Sequence, residues 1–153
     1  MATASQSFNK FFAGLLTGAY GDLSSVLLKV ILVDNTLDMT TATTGGADAY
    51  DFYSDIVTDT CELTTTGGYT VGGATLATVT VTQDDTQDRG TLDAADLTWA
   101  AATLTARGCI LFYDTTVAAT SPLMVYHDFG ADKTVTGTDF IIQWHADGIL
   151  YIG

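Results

Sequence analysis

Thr103–Tyr113 reads TLTARGCILFY, and Pro122–Phe129 reads PLMVYHDF. The first is a long strand candidate in which Gly108 marks a bend or a close backbone approach. The second opens on Pro122, the only proline of the chain, at the first residue of a strand where its missing N–H does no harm. A polar connection of eight residues joins the two, so they are expected to pair antiparallel.

The same grammar recurs outward from this pair. Val26–Val33, VLLKVILV, is a dense β-branched and aliphatic run, the pattern of a central strand buried on both faces. Cys61–Thr66 reads as a strand ended by Gly67-Gly68. Thr75–Thr82, TLATVTVT, places Leu76, Val79 and Val81 on one face and threonines on the other, and the slip between Leu76 and Val79 suggests a bulge. Asp84–Gly90 is a turn cluster, followed by short strands at Thr91–Asp93 and Leu97–Trp99. Asp139–Trp144 and Ile149–Ile152 flank His145-Ala146-Asp147-Gly148, a hairpin signal. The expected fold is therefore mainly β: an antiparallel β-sandwich or jelly-roll-like barrel of about eight strands with one short N-terminal helix.

That helix is expected over Ser7–Gly18. Phe8, Phe11, Phe12, Leu15 and Leu16 recur on one face of a 3.6-residue period, with Ser7 as N-cap and Gly18 as the stop. Three phenylalanines and two leucines exceed what so short a helix hides alone, so it packs on the domain's own sheet or docks on a neighbouring subunit. Residues 1–20 are accordingly set apart as a helix or arm, and 21–153 as the β-sandwich domain. Asp34-Asn35 opens a long polar connection through Thr40, Thr41, Gly45 and Gly46. Asp48–Val57 reads as a short helical turn anchored by Tyr50, Phe52 and Tyr53.

Composition supports strands and narrows function. The chain has 153 residues, 47% of them hydrophobic, enough for one self-sufficient core. Threonine is abundant, Gly numbers 15, and Glu62 is the single glutamate. Eighteen acids against five bases give a net charge of −13. Such a charge repels phosphate backbones, and Arg89 and Arg107 are isolated, so nucleic-acid binding is not expected. Anionic membranes are opposed for the same reason, and the longest apolar stretch, interrupted by Lys29, is too short to cross a bilayer. The N-terminus shows no basic n-region or cleavage-like site, so the expectation is a soluble protein made in a cytosol. Acid excess also suits a module that sits on a basic patch of a partner.

The residues that carry chemistry elsewhere fall short of a pattern here. Asp84, Asp85, Asp88, Asp93 and Asp96 fail the calcium-loop spacing, since Thr86 stands at position 3 and Ala95 where the Glu belongs; turn aspartates bonded to their own backbone explain them better. His127 and His145 have no zinc-like spacing, and no nucleophile motif surrounds any serine or either thiol. Cys61 and Cys109 read as buried small apolar residues, with a disulfide left open. Gly67-Gly68 and Gly72-Gly73 lack the lysine and spacing of a phosphate loop and read as turns. Trp99, Trp144, Tyr113, Tyr126 and Tyr151 are core aromatics or, alternatively, a carbohydrate platform. No catalytic residue, cofactor or metal ligand is expected, and the chain is read as a non-enzyme.

The run from Gly67 to Gly148 resembles a family of small bacteriophage and prophage structural proteins. The matching stretches are Gly67–Leu76 (GGYTVGGATL), Leu92–Trp99 (LDAADLTW), Thr105–Gly108, Ser121–Leu123, Asp128–Lys133, and Asp139-Phe140 through Ile149. The early part, a helix followed by Leu27–Val33 and Asp51–Asp55, is similar in layout. The resemblance implies a virion protein, and small acidic β-modules of that kind act as decoration or cement proteins clamping the major capsid protein from outside, commonly as homotrimers. Capsid contacts are then expected from Phe8, Phe11, Phe12, Leu15 and Leu16 and from the Thr40, Thr41, Gly45 and Gly46 loop. The alternative is a tail or fibre component that binds a receptor or glycan.

Overall fold

A computed structural model of the chain describes residues 4–37, 39 and 50–153. The fold is mainly β, with two antiparallel sheets packed in a sandwich-like arrangement and no closed barrel among the described residues. The large sheet has the order β1-β7-β6-β2-β3, built from β1 (Ala4–Ser7), β2 (Leu28–Val33), β3 (Ala74–Thr75), β6 (Leu97–Tyr113) and β7 (Leu123–Ile142). The small sheet has the order β4-β5-β8, with β4 (Thr80–Asp84), β5 (Arg89–Asp93) and β8 (Leu150–Ile152).

The opening pair of the sequence is the spine. β6 and β7 form one long antiparallel ribbon running from Phe112 against Leu123 out to Leu97 against Ile142. The Leu97–Trp99 segment is the far end of β6, and Asp139–Ile142 is the far end of β7. The ribbon stays continuous because its register slips at several irregularities, one beside Gly108. A Cβ on Gly108 would lie 2.5 Å from a Tyr126 ring carbon and 2.6 Å from the His127 carbonyl oxygen, so the close approach expected there is real.

Strand alternation then divides the interior. Leu28, Val30 and Leu32 of β2 face a first core with Trp99, Leu104, Leu111 and Met124, while Ile31 and Val33 face a second with Phe8, Ile56, Ile110 and Leu123. β2 is thus buried on both faces, as its unbroken apolar run requires. The small sheet covers the first core through Leu92, and Ile149 beside it. Helix α2 (Tyr53–Asp59) covers the second through Ile56, and Tyr53 stacks on Phe112 at 4.8 Å. This helix makes two in place of the one expected, although the Asp48–Val57 pattern announces it.

Helix α1 runs over Asn9–Thr17. Gly18 ends it in the left-handed conformation as expected, but the N-cap is Phe8 and Ser7 belongs to β1. β1 pairs with β7 from Ser7–Val125 to Ala4–Asp128, and Phe8 and Phe11 are fully buried in the second and first cores. The stretch 1–20, separated in sequence as an arm, therefore contributes to both cores of the domain through its described residues.

Three strand expectations are corrected. Cys61–Thr66 makes only isolated bridges, Val33 to Glu62 and Thr66 to Tyr69. Thr75–Thr82 is two strands, because at Thr78, which has a positive φ, the chain leaves the large sheet for the small one. The broken period between Leu76 and Val79 was the trace of that crossing and not of a bulge. Asp139–Trp144 and Ile149–Ile152 flank a real tight turn at His145–Gly148, but they pair with β6 and β5 in different sheets. An Asp-Gly turn fixes local chain reversal and says nothing about which sheet receives each arm.

Candidate functional site

Two regions draw attention: the outer face of α1, and a cleft between the far half of β7 and the C-terminal strand. On α1 the five residues singled out in sequence separate. Phe8 and Phe11 are core, Leu15 packs partly against the first core, and Phe12 and Leu16 point outward with 40% and 90% of their surface exposed. Tyr20 holds the helix down, stacking on Phe11 at 5.6 Å and donating its hydroxyl to the Lys10 carbonyl at 2.9 Å. Thr40, Thr41, Gly45 and Gly46 lie outside the described residues.

Most of the few bases are engaged within the chain, and the excess of acids gives it a net charge of −13. Lys29 pairs with Asp114 at 2.8 Å, Arg89 with Asp84 and Asp147, and Arg107 with Asp128 at 2.9 Å. Lys10 lies 5.0 Å above the Phe52 ring. The Arg107 hydrogen bond holds the Asp128 carboxyl below the ordinary range, and the Arg89 hydrogen bond does so for Asp147.

The cleft, of about 670 Å³, is lined by His127, Phe129, Phe140, Trp144, Ile149 and Tyr151 among others. β7 supplies His127, Phe129 and Phe140, and the tight turn brings Ile149 and Tyr151 to the opposite wall. His127 stands directly across the strand pair from Cys109, and its ring lies 5.8 Å from that of Trp144. It is only 8% exposed, and its Nε2 has no hydrogen-bond partner among the described residues. Burial pushes the imidazole down to about 4, against a weaker upward pull from a backbone hydrogen bond at Ile149. Burial also drives the Cys109 thiol far up. Both groups are therefore neutral near pH 7, the opposite of the thiolate–imidazolium pair that nucleophilic chemistry uses.

The remaining expected residues take structural places. Asp84 accepts the Thr86 and Gln87 N–H groups at 3.0 and 3.1 Å, Asp93 accepts that of Ala94, and Asp96 accepts that of Trp144. The bonds of Asp84 and Asp93 are the local turn bonds expected, whereas Asp96 straps a distant segment at Trp144 and Asp85 accepts the Gln83 side chain. Among the described residues no three His, Cys, Asp or Glu side chains gather as a metal site would need. Cys61 and Cys109 are free thiols, one in each core. Trp99 and Tyr126 are buried, so of the five aromatics only Trp144 and Tyr151 share the cleft.

One arrangement escaped sequence reasoning. Glu62 accepts hydrogen bonds from the Tyr53 hydroxyl at 2.5 Å, the Tyr69 hydroxyl at 2.6 Å and the Gly72 N–H at 2.7 Å. Tyr69 in turn accepts the Leu32 N–H at 3.2 Å, so the single glutamate ties α2, the Gly67–Gly73 loop and β2 together. Burial, with the carboxylate beside them, pushes both tyrosines up. Its being the only glutamate among so many aspartates was the available signal. No family description, curated protein or solved structure matches the chain.

Proposed function

We propose that this chain is a bacteriophage virion protein, a capsid decoration or cement protein that stabilises the assembled head by non-covalent binding to the major capsid protein. The observation that carries the reading is Leu16, with Phe12 beside it, held outward on a helix whose opposite side is core. Leu16 with 90% of its surface in water, and Phe12 one turn before it, give α1 an apolar outward face that supports an adhesive role. The resemblance read from Gly67–Gly148 supports a capsid protein as the class of its partner. A net charge of −13 supports the outer capsid face, because the interior is packed with DNA.

The mechanism is differential binding: a protein that binds the assembled shell and not its free subunits lowers the free energy of the shell. Each contact would bury on the order of 800 Å² per partner, and a homotrimer would multiply modest contacts through avidity. No bond is made or broken, and no cofactor, nucleic acid or membrane takes part. Immunogold electron microscopy of phage particles tests the assignment. Label spread over the head surface is expected; label confined to the tail, or absent from particles, overturns it.

A further inference from the structure

Strand β7 is covered along only part of one edge. β6 pairs with it along its length, but on the other side β1 reaches only from Val125 to Asp128. Among the described residues no strand takes that second edge from Lys133 to Ile142, although every second residue of a strand turns its N–H and C=O there. The first part of the open edge is guarded. Lys133 lies opposite the inward-facing Ala106 and puts a charge at the margin of the core face. Gly137, with φ 63°, is an extra residue that breaks the run between Thr136 and Thr138. Thr138–Ile142 has neither device.

The cleft lies along this unguarded stretch. A cavity over one face of a sheet touches alternate residues of a strand, whereas this one touches Asp139, Phe140, Ile141, Ile142 and Gln143 without a gap. It therefore follows the strand's edge, where backbone groups lie between the side chains of the two faces. Phe140 and Ile142 make it apolar on the core side, Ile149 and Tyr151 form the far wall, and Ile141 and Tyr151 are each more than half exposed. Backbone donors and acceptors in a row, with apolar side chains at alternate positions, are what an extended polypeptide satisfies. Ser5, Lys133, Gln143 and the Tyr151 hydroxyl also line the cleft, but a small ligand held by these side chains alone would leave the backbone edge uncovered.

Charge chooses among polypeptides. Beside Thr138–Ile142 stand Asp139, bonded to the neutral Ala101 N–H at 3.0 Å, and Asp147, which shares Arg89 with Asp84. The whole chain carries −13, so a second copy is repelled and a segment rich in lysine or arginine is drawn in. We propose that the cleft takes an extended, basic segment of another protein, which adds to β7 as a strand along Thr138–Ile142, in the column that β1 occupies beside Val125–Asp128. This surface is separate from the outward face of α1 and stands whether or not that face binds a capsid.

The probe is the acetylated and amidated peptide Lys-Val-Thr-Val-Thr-Val-Lys, titrated into the full 15N-labelled chain and followed by NMR and amide exchange. Saturable binding is expected, with exchange slowed at alternate amides of Thr138–Ile142. N-methylation of the valines, or separately of the threonines, strips donors from one edge of the peptide at a time. One of these peptides should lose about tenfold or more in affinity and the other should not, because only one edge meets β7. Replacing both lysines by glutamates should weaken binding by a similar factor at low salt. No saturable binding, unchanged exchange at Thr138–Ile142, or equal losses from the two methylated peptides overturns the edge addition. A glutamate peptide that binds as well as the lysine peptide overturns the basic character of the partner.

Discussion

The two halves of the β6–β7 ribbon are one continuous pair of strands in two different environments. From Gly108 to Phe112, against Leu123 to Asp128, the ribbon lies between the two cores, and Ile110, Leu111, Leu123 and Met124 are fully buried. From Leu97 to Ala106, against Lys133 to Ile142, only one face is covered. Trp99, Ala102, Leu104 and Ala106 point inward, while Thr98, Thr103 and Thr105 face solvent. The difference teaches that a strand's pattern reports how many faces are covered, and that coverage changes along a strand wherever the covering element ends. Here the second core, under α2 and Phe8, stops near Gly108. Beyond it only the first-core face is covered, and the cleft opens among residues of that face, Phe129, Phe140 and Ile149.

The largest expected effect falls on the doubly covered half. Ile110→Ala should cost about 3–4 kcal/mol in urea denaturation, since it opens a cavity between packed elements. A loss below about 1 kcal/mol would mean that the second core is loosely filled. Next comes the boundary residue, His127. Its folded-state value near 4 lies below the ordinary 6.5, so between those values the unfolded chain binds the extra proton. Stability should therefore rise with pH from about 4 to 6.5, by about 3 kcal/mol in all, and level off above. His127→Phe should remove this slope while leaving the carboxylate titrations at lower pH.

A third effect probes what holds the outer half. Gly67 has φ 53°, and a Cβ there would sit 1.9 Å from the Thr103 carbonyl oxygen. The Gly67 carbonyl accepts the Thr103 N–H at 2.8 Å, so this loop fastens the free edge of β6. Gly67→Ala should cost about 2 kcal/mol or more and speed amide exchange in the outer half before the inner half. The smallest effect belongs to Thr105→Ala on the open face. Its hydroxyl meets that of Thr134 at 2.8 Å in full contact with water, and the change should stay within about 0.5 kcal/mol. A large loss there would show that the threonine face is covered in solution.

Much of this was legible in the sequence where local pattern and tertiary position agree. The run at Val26–Val33 announced a doubly buried strand, Gly108 a close approach, Gly18 a helix stop, and Asp84 and Asp93 their turns. The pattern was silent where sheet membership is decided at a distance. Thr78 and the His145–Gly148 turn look like ordinary strand punctuation, yet both are points where the chain changes sheets. The α1 residues follow a helical period, but a period cannot tell that Phe8 and Phe11 enter different cores while Leu16 stays in water. The cleft was illegible for the same reason. Its walls join β7 to a strand of the other sheet, and an isolated histidine in a β-pattern carries no mark of the partner it lacks.

The functional reading is tested most directly by sedimenting the chain with purified phage heads. The wild type should co-sediment to a fixed, saturable copy number. The doubly substituted Phe12→Ser, Leu16→Ser chain, with an unchanged denaturation midpoint, should stay in the supernatant. Undiminished binding by that variant, or heads that never retain the wild type, would contradict an adhesive role for the outward face of α1.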